Sequence, residues 1–535
     1  MSSKKTAVFL DRDGTIIHDR GYLNTPSEVI FIQGVFVALK SIAPISQFFI
    51  VTNQTGVGLG IHSMEQVSAV NTYIADTLRK NGIDIIHTYV CPHQQEDNCV
   101  CRKPSPFFIH EAARAYGIDL RNSYMIGDHI SDIECADNAG AQGIYVLTGH
   151  GMHHIHDKRP SESIVVPDIT AACAVIRSEI TESGNSNGEI PRAAKILSRG
   201  GLAAFPTETV YGLGANAYDP SAVEKIFHVK KRPYNDPLIV HVSGIDYLEK
   251  ICASVSPAAH ALAEKFWPGP LTLILPKLPV IPDLVTASLP DVAVRVPDHP
   301  ITLELLHLTG LPIAAPSANL FGSISPTTAG HVKSGLPEGV DIVLDGGPCR
   351  VGVESTIVKI VKENICESID EKNYENNKTS VNKKRTSIII LRPGGITAEM
   401  IEEATGIKPV FLPRTMNTVS GADNAPAPGL FNKHYAPKAP VELFPYRGLP
   451  HADDRDTSGI IFLSSFSPAC IHGRNFAACE ILSEKENELT EAAQNLYSAL
   501  HSLDLKAVTK IYAECAPDEG IGRALNDRLR RAAGI

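Results

Sequence analysis

Residues 6–15, TAVFLDRDGT, join a short apolar run to two carboxylates, Asp11 and Asp13, that stand one residue apart. Three further apolar runs, QFFIVT, SYMIG and GIYVLTG, follow before residue 150, and helical patterns separate them. Alternation of short strands with helices is typical of a parallel sheet with crossover helices. Residues 1–176 are therefore predicted to form a doubly wound α/β domain.

Polar motifs stand directly after three of these apolar runs. Asp11 follows AVFL, Thr52-Asn53-Gln54 follows FFIV, and Gly127-Asp128 follows YMI. In a doubly wound sheet, sites form outside the carboxyl ends of the strands, so these motifs are expected to converge. A lone Asp-x-Asp is usually a turn or a capping carboxylate, but three motifs at strand ends favour a site.

The three motifs resemble those of the haloacid dehalogenase superfamily of phosphatases, over nearly all of residues 1–175. The resemblance implies that Asp11 attacks phosphorus and forms an aspartyl-phosphate. Asp13 would protonate the leaving oxygen and then activate water. Asp128, with Asp11 and the backbone carbonyl of Asp13, would hold Mg²⁺.

Three further residues complete the expected phosphatase site. Thr52 and Lys103 would donate hydrogen bonds to the phosphoryl oxygens as charge develops on them. Asp132 would orient the metal shell, or it is a carboxylate on a helix face, and both interpretations stay open. A zinc-stabilised scaffold without activity is the rival hypothesis, and the presence of Asp11, Asp13, Lys103 and Asp128 argues against it.

A second cluster, Cys91-Pro-His93 and Cys99-Val-Cys101, has the pattern C-x-H-x5-C-x-C. Three thiolates and one imidazole form a closed tetrahedral set for Zn²⁺, whereas the alternative is two unrelated pairs of surface cysteines. No reacting group is needed there, so the predicted zinc is structural. It would hold the loop that presents Arg102 and Lys103.

Together these motifs are similar to the D-glycero-D-manno-heptose 1,7-bisphosphate phosphatase family, although the loop from His93 to Cys99 is shorter than in some members. The resemblance implies a sugar bisphosphate as substrate, and histidinol phosphate is the alternative because close relatives hydrolyse it. The implied substrate contacts are Asp19, Arg20, Gly21, Tyr22, Asn53, Gln54, Thr55 and Arg102.

Downstream, seven short motifs follow one another in the second part of the chain. Singly each is weak, because Lys-x-Arg is usually a solvated face and Ser-x-Asn is usually a turn. Their joint occurrence in this order predicts one site. The motifs are Pro206-Thr-Glu-Thr209-Val-Tyr-Gly212, Lys230-x-Arg232-Pro, Trp267-Pro-Gly-Pro-Leu-Thr272, Val294-Arg295-x-Pro, Ala315-Pro-Ser317-Ala-Asn319, Gly352-x-Glu-Ser355-Thr356 and Arg392-Pro-Gly-Gly.

This set resembles the threonylcarbamoyl-AMP synthase family over essentially all of residues 190–535. The resemblance implies that L-threonine, bicarbonate and ATP are converted to threonylcarbamoyl-AMP and pyrophosphate, and that the threonylcarbamoyl group then passes to tRNA. It also implies partner proteins that complete the tRNA modification. The rival hypothesis is an RNA-binding module without synthase activity.

The chemistry requires fixed cations, because negative charge grows as a threonine carbamate attacks the α-phosphate. The planar fork of Arg295 suits the threonine carboxylate, whereas His241 has the alternative of being a packed strand histidine. The residues implied around the amino acid are Thr209, His241, Arg295, Ala315 and Ser355. Those implied around ATP are Lys230, Arg232, Asp236, Ser317, Asn319, Ser325, Arg392 and Tyr435.

Composition changes along the chain predict the domain boundaries. Residues 177–189 have a polar Gly/Ser/Asn-rich middle and are predicted to be a linker. A twisted α/β synthase domain is expected over 190–423, a Pro-rich connector over 424–440 and a small α/β domain over 441–535. The highly polar stretch 362–386 is expected to be a solvated loop insertion.

Bulk properties limit the remaining possibilities. The chain has 535 residues and a net charge of −10, so it is not a polycation and no stable DNA binding is expected. Apart from the zinc cluster the cysteines are scattered, which fits a reducing cytosol. The N-terminus lacks the apolar run of a secretory signal, and no apolar run is long enough for a membrane span. A cytoplasmic location is therefore expected.

Overall fold

The computed structural model of the chain describes residues 6–155, 157, 160, 163–182, 188–365, 383–412, 425–430, 434–448, 450–451, 454–465 and 476–535. The chain divides into two compact units. One contains Met1–Leu202, Ala215–Glu224 and Glu304–Pro312, and the other contains Ala203–Gly214, Lys225–Leu303 and Ile313–Ile535. Among the described residues, no helix is both long and apolar enough to cross a membrane.

The first sheet consists of six parallel strands. They are β1 (Thr6–Leu10), β2 (Ser46–Asn53), β3 (Ile85–Cys91), β4 (Tyr124–Gly127), β5 (Gln142–Val146) and β6 (Ile164–Val166). Their order is β3-β2-β1-β4-β5-β6, so the chain winds outward from β1 in both directions. The carboxyl ends of β2 and β4 therefore flank that of β1, as a topological switch point requires. This confirms the predicted doubly wound parallel sheet.

Five helices lie between these strands, and a sixth follows β6. They are α1 (Val35–Ile42), α2 (Thr55–Gly58), α3 (Met64–Lys80), α4 (Phe107–Tyr116), α5 (Ile130–Ala139) and α6 (Ile169–Glu182). Helix α3 begins with a capping box, in which the Ser63 side chain accepts from the backbone N–H of Gln66 and the Gln66 side chain accepts from that of Ser63.

The predicted linker over 177–189 is too long at its start. Helix α6 continues to Glu182 because Ile180 follows Ile176 at helical spacing and keeps an apolar stripe in register. The next helix, α7, begins at Glu189. Residues 183–187 of the predicted linker lie outside the described residues.

Residues 190–423 contribute ten strands to a mixed sheet. They are β7 (Ala203–Phe205), β8 (Gly212–Asn216), β9 (Ile239–His241), β10 (Leu271–Pro276), β11 (Asp291–Arg295), β12 (Ile313–Ala314), β13 (Ile342–Val343), β14 (Thr356–Ile365), β15 (Lys383–Arg392) and β16 (Val410–Phe411). Their order is β13-β7-β8-β12-β9-β11-β10-β14-β15-β16. The helices of this part are α7 (Glu189–Ser198), α8 (Pro220–Lys230), α9 (Leu248–Ile251), α10 (Pro257–Phe266), α11 (Asp283–Thr286), α12 (Pro300–Thr309), α13 (Ala329–Gly335) and α14 (Ala398–Thr405).

The expectation that all of 362–386 is a loop is wrong at both ends. Strands β14 and β15 pair antiparallel from Ile357 and Arg392 outward to Ile365 and Lys383. The polar composition indicates exposure to water, but it does not prevent backbone pairing, which satisfies N–H and C=O groups whatever the side chains are. Residues 366–382 lie outside the described residues. Arg392 keeps its place in the ladder.

The C-terminal part forms a separate parallel sheet in the order β17-β20-β18-β19. Its elements are β17 (Val441–Phe444), β18 (Gly459–Phe462), β19 (Ala478–Ile481), α15 (Leu489–Leu505), β20 (Ile511–Glu514) and α16 (Gly522–Ala533). One buried hydrophobic cluster joins Val210 and Val353 to Leu496, Leu500 and Leu525 of these two helices. This sheet therefore shares a core with the residues around the second predicted site. The described part of the connector contains no helix or strand, as predicted.

Candidate active sites

The strand ends of the first sheet bring the predicted phosphatase residues together. Asp11 follows β1, Thr52 lies at the end of β2 and Asp128 follows β4. Lys103 is buried, and its Nζ lies 2.5 Å from Asp11 Oδ1 and 2.6 Å from Asp132 Oδ1. Lys103 also donates to the backbone carbonyl of Val51 at 2.9 Å. The lysine thus fixes two carboxylates at one point.

Three carboxylates crowd this site, because oxygens of Asp11, Asp128 and Asp132 lie within 4.8 Å of one another. Burial raises the pKa of Asp11 to about 6. Burial, followed by the charges of Asp11 and Asp132, raises the pKa of Asp128 to about 8. One lysine does not balance three carboxylates, and clustered carboxylate oxygens are the ligands that hard divalent cations prefer. The donor set therefore fits Mg²⁺.

Asp13 is held beside this carboxylate cluster by Gln54 and by the buried Arg12, whose Nη2 lies 2.8 Å from Asp13 Oδ2. Its Oδ2 accepts from Gln54 Nε2 at 2.9 Å, and the same amide nitrogen donates to Thr52 Oγ1 at 2.9 Å. Burial raises the pKa of Asp13, which favours a protonated carboxyl that can give up its proton. Asn53 Oδ1 accepts from the backbone N–H of Lys103 at 3.2 Å and so aligns the two loops.

Apart from Gln54, which is buried and bonded to Asp13, the predicted substrate contacts are exposed or half-buried and form the rim of this site. Arg102 Nη1 donates to Thr55 Oγ1 at 2.8 Å, and the backbone N–H of Gly21 donates to Asp19 Oδ1 at 2.7 Å. Arg20 and Tyr22 are exposed. Side chains at a rim can adjust to a substrate, whereas the buried residues below them cannot.

Sequence reasoning missed His150 in this rim. Its backbone N–H donates to Asp128 Oδ2 at 2.7 Å, and its Nε2 lies 2.8 Å from Asp19 Oδ2. The available signal was its position shortly after the strand GIYV, where another polar residue at a strand end should have been expected.

The cysteine cluster has the dimensions of a tetrahedral metal site. The sulfurs of Cys91, Cys99 and Cys101 are 3.4–3.7 Å apart, and His93 Nδ1 is 3.6 Å from Cys91 Sγ and 3.4 Å from Cys101 Sγ. A tetrahedron with Zn–S bonds of about 2.3 Å has edges of about 3.8 Å. The four donors therefore fit Zn²⁺, which would occupy their centre.

The second site is a cavity of about 540 Å³. Nine of the residues predicted around threonine and ATP line it, namely Thr209, Arg232, His241, Arg295, Ala315, Ser317, Ser355, Arg392 and Tyr435. The other four predicted residues lie behind this lining. Lys230 Nζ donates to the backbone carbonyl of Ser317 at 2.6 Å and to that of Asn319. Asp236 forms an ion pair with Arg232, and the hydroxyl of Ser325 donates to Glu354.

Two cations of the cavity have a carboxylate partner. Arg295 Nη2 lies 2.6 Å from Glu208 Oε1, and Arg232 Nη2 lies 2.8 Å from Asp236 Oδ2. Arg392 instead donates to the backbone carbonyl and the hydroxyl of Ser355, each at 3.1 Å, and makes no ion pair within the described part of the chain. Its charge is therefore the least balanced of the three.

Three uncharged buried polar atoms of the lining have no hydrogen-bond partner among the described residues. They are His241 Nδ1, His434 Nδ1 and the hydroxyl of Tyr435. Burial, reinforced by Arg295, lowers the pKa of His241 to about 3, so the imidazole is neutral at physiological pH. A buried polar group without a partner is costly, and a bound ligand would supply the missing partners.

Several residues around this cavity were not assigned a role from the sequence. Glu208 and Glu354 lie inside two of the seven motifs, so their positions were visible although their partners were not. Tyr497 and Arg528 also lie here, and each bonds to Glu354. They belong to ordinary amphipathic helices far along the chain, and no local pattern distinguishes them.

Three family models match the chain. The model described as "Telomere recombination" (Sua5_yciO_yrdC) matches residues 195–367, and "Threonylcarbamoyl-AMP synthase, C-terminal domain" matches 396–534. A HAD-hydrolase-like model matches 100–172. Each matches a part of the chain that contains, or shares a core with, one of the two sites.

Individual relatives divide in the same way. The threonylcarbamoyl-AMP synthase of Pyrococcus abyssi is 38% identical over 64% of this chain and 93% of its own length. The solved structure of P. abyssi Sua5 with L-threonine is 36% identical, with a TM-score of 0.53 over 64% of this chain and 94% of that one. The D-glycero-β-D-manno-heptose-1,7-bisphosphate 7-phosphatase of Helicobacter pylori is 35% identical over 29% of this chain and 91% of its own length.

Fold, site and relatives thus define a chain with two enzyme parts, an N-terminal hydrolase and a C-terminal nucleotidyltransferase. The chain belongs to the threonylcarbamoyl-AMP synthase family, and its N-terminal part belongs to the haloacid dehalogenase-type phosphatases.

The glycine after the Asp-x-Asp motif provides a test of the phosphatase geometry. A Cβ on Gly14, which has φ +79°, would lie 2.0 Å from Asp128 Oδ2. Gly14→Ala should therefore displace Asp128 and lower phosphate release by at least about tenfold. The matched control is Gly117→Ala, because Gly117 has φ +68° and an open space around the added Cβ. It should cost about 1 kcal/mol of stability and leave turnover at the parent level. Equal turnover by the two variants would contradict the assigned geometry.

Proposed function

We propose that residues 190–535 synthesise L-threonylcarbamoyladenylate from L-threonine, bicarbonate and ATP, and that the product supplies tRNA threonylcarbamoyladenosine modification. The observation that carries this proposal is the pocket in which Arg232, Arg295 and Arg392 meet the unpartnered atoms of His241 and Tyr435. Three cations suit a triphosphate and a carboxylate together. Uncharged groups with open hydrogen-bonding capacity suit the remaining polar atoms of the ligands.

On the ATP side, Arg392 is the residue best placed to take phosphate charge, since it has no carboxylate partner of its own in the described structure. Arg232 would share this role. Tyr435 would donate its free hydroxyl to the nucleotide, and Ser317 would bond a phosphate or carbamate oxygen. Lys230 donates to the backbone carbonyls of Ser317 and Asn319, so we propose that Lys230 holds their loop in position.

On the threonine side, Arg295 is held by Glu208 and Thr209, which fixes the plane of its guanidinium. A fixed fork binds a carboxylate through two parallel hydrogen bonds. The neutral His241 and the hydroxyl of Ser355 would then contact the amino and hydroxyl groups of threonine. The carbamate would form beside the phosphate contacts and attack the α-phosphate, and pyrophosphate would leave.

The N-terminal phosphatase is proposed to act on a sugar bisphosphate, with heptose 1,7-bisphosphate as the first candidate and histidinol phosphate as the alternative. Asp11 would attack phosphorus, and Asp13 would supply and later remove the proton. Lys103 and Thr52 would bind the phosphoryl oxygens, with Arg102 at the rim. Mg²⁺, held by Asp11, Asp128 and the carbonyl of Asp13, would screen the carboxylates from the phosphate when bound.

The synthase assignment is tested by pyrophosphate release from ATP that depends on both L-threonine and bicarbonate. Arg295→Ala and Ser317→Ala should each lower it, because losing a contact to a desolvated charge costs about 2–5 kcal/mol. Arg447→Ala is the matched control, since Arg447 forms an exposed pair with Glu486 away from the cavity. A parent chain that binds RNA but releases no pyrophosphate would favour the RNA-binding module instead.

The phosphatase assignment is tested by phosphate release from a panel of sugar bisphosphates and histidinol phosphate. Asp11→Asn should lower release by roughly a thousandfold or more, because an amide is a poor nucleophile. The same variant should form threonylcarbamoyl-AMP at the parent rate, since no residue of the first site is needed for the second. Parent-like phosphate release would exclude the aspartyl-phosphate mechanism. Loss of both activities would show that the two sites are coupled.

We further propose one structural Zn²⁺ per chain at Cys91, His93, Cys99 and Cys101. Cys99→Ser should abolish zinc in elemental analysis of protein purified without chelator. It should also loosen the segment of Arg102 and Lys103, because a structural zinc contributes directly to local folding. Cys173→Ala, which removes a buried free thiol elsewhere in the same unit, should keep the metal. Retention of zinc by Cys99→Ser would exclude this ligand set.

A further inference from the structure

Glu354 is the most densely bonded carboxylate beside the synthase cavity. Its Oε1 accepts from Ser325 Oγ at 2.6 Å, and its Oε2 accepts from Tyr497 OH at 2.8 Å and from Arg528 Nε at 2.6 Å. Both Tyr497 and Arg528 come from the C-terminal part of the chain, from helices α15 and α16. Burial opposes ionisation of Glu354, but Arg528 and then Arg392 hold its pKa below the usual value. The carboxylate is therefore charged and its partners compensate the charge.

Arg528 bonds two segments of the chain that contribute residues to the cavity lining. Its Nε bonds Glu354, next to Ser355, and its Nη1 donates to the carbonyl of Pro393 at 3.0 Å, next to Arg392. Ser355 and Arg392 line the cavity and bond one another. The segments are also in close backbone contact, because a Cβ on Gly394 would lie 2.3 Å from the carbonyl oxygen of Glu354. One guanidinium thus ties together the neighbours of two predicted ligand-binding residues.

The same guanidinium supports Tyr435. Arg528 Cζ lies 5.2 Å from the centroid of the Tyr435 ring, and the ring of Tyr497 lies 5.8 Å from it. Tyr435 is almost fully buried, and its hydroxyl has no partner among the described residues. A cation against an aromatic face fixes the ring without using its hydroxyl. The hydroxyl of Tyr435 therefore stays available to a ligand.

We propose that Arg528 is a positioning residue of the synthase, which fixes Ser355, Arg392 and Tyr435 through Glu354, Pro393 and the Tyr435 ring. The C-terminal part of the chain would then complete the geometry of the adenylate-forming site. This inference rests on the proposed synthase function. The alternative is that the Arg528–Glu354 pair serves only stability, as many buried ion pairs do.

A positioning role and a purely stabilising role of Arg528 predict different turnover. A displacement of about 1 Å in a positioning group can cost about a hundredfold in rate. Arg528→Met should therefore lower kcat for pyrophosphate release by about 10- to 100-fold per folded chain, and KM for ATP should rise because Arg392 and Tyr435 are its proposed contacts. Arg528→Lys keeps the charge but loses the guanidinium that bonds Glu354 and the carbonyl of Pro393 together, so it should have an intermediate kcat. A purely structural pair would leave kcat per folded chain unchanged.

A double-mutant cycle adds a second readout. Glu354→Gln removes the charge that Arg528 compensates and leaves Arg528 with Asp527, 2.6 Å from its Nη1, as carboxylate partner. Arg528→Met leaves the Glu354 carboxylate without its cationic partner. If the two residues act as one unit, the double variant Glu354→Gln/Arg528→Met should lose no more activity than the worse single variant. Losses that multiply would overturn the proposal. Arg523→Met is the matched control, because Arg523 lies on the same helix in an exposed pair with Glu399 and should keep parent kcat.

The folded fraction of each full-length variant is measured by thermal unfolding, and kcat is compared well below the transition. If Arg528→Met fails to fold, Arg528→Lys and Tyr497→Phe carry the test, and the proposal is overturned if both fold and turn over at the parent kcat. A parent chain that forms no adenylate would instead refute the proposed function, so the two failures are distinguishable.

Discussion

The synthase site depends on the pairing of buried charge. Buried positive charges that line one pocket repel one another, and each loses part of the solvation that water would provide. This chain places a carboxylate behind three of its buried guanidinium groups, so that Arg232 meets Asp236, Arg295 meets Glu208 and Arg528 meets Glu354. The ion pairs keep the cations fixed and charged before any ligand arrives. Arg392, which makes no such pair in the described structure, is left to meet the charge of a ligand.

The phosphatase site has the opposite imbalance. Asp11, Asp128 and Asp132 crowd around the single ammonium of Lys103, and the pKa of Asp128 is raised first by burial and then by the charges of Asp11 and Asp132. A divalent cation would reverse the balance and restore the ionised carboxylates. The two sites therefore require ligands of opposite sign. One holds excess positive charge for phosphate and carboxylate groups, and the other holds excess negative charge for a metal.

Sequence reasoning succeeded where function is tied to local pattern. The convergence of Asp11, Thr52 and Asp128 could be predicted because strand ends of a parallel sheet meet at one edge. Eight of the nine cavity-lining residues could be predicted because each lies in one of the seven motifs or in the connector, and His241 could be predicted because it matches a family position in the apolar run LIVHV. It failed for Arg528 and Tyr497, whose role depends on which surface of the chain α15 and α16 cover. A helical pattern predicts a buried face, but it does not predict what that face will touch. The assignment of Lys230 to ATP stays a prediction, and the sequence did not reveal that its ammonium is bonded to the carbonyls of Ser317 and Asn319.

The position of the proposed zinc ligands explains how a metal that takes no part in catalysis would serve the phosphatase site. The segment between the end of β3 at Cys91 and the start of α4 at Phe107 contains no helix or strand, yet it must deliver the Lys103 ammonium to Asp11 at hydrogen-bonding distance. A loop without regular structure loses backbone entropy when it is ordered, at about 1–2 kcal/mol per residue. Four ligands that include both Cys91 at the strand end and Cys101, two residues before Lys103, would impose that order outside the reacting centre. A zinc bound there would therefore substitute for secondary structure and would help to hold the lysine where Asp11, Asp132 and the carbonyl of Val51 bind its ammonium.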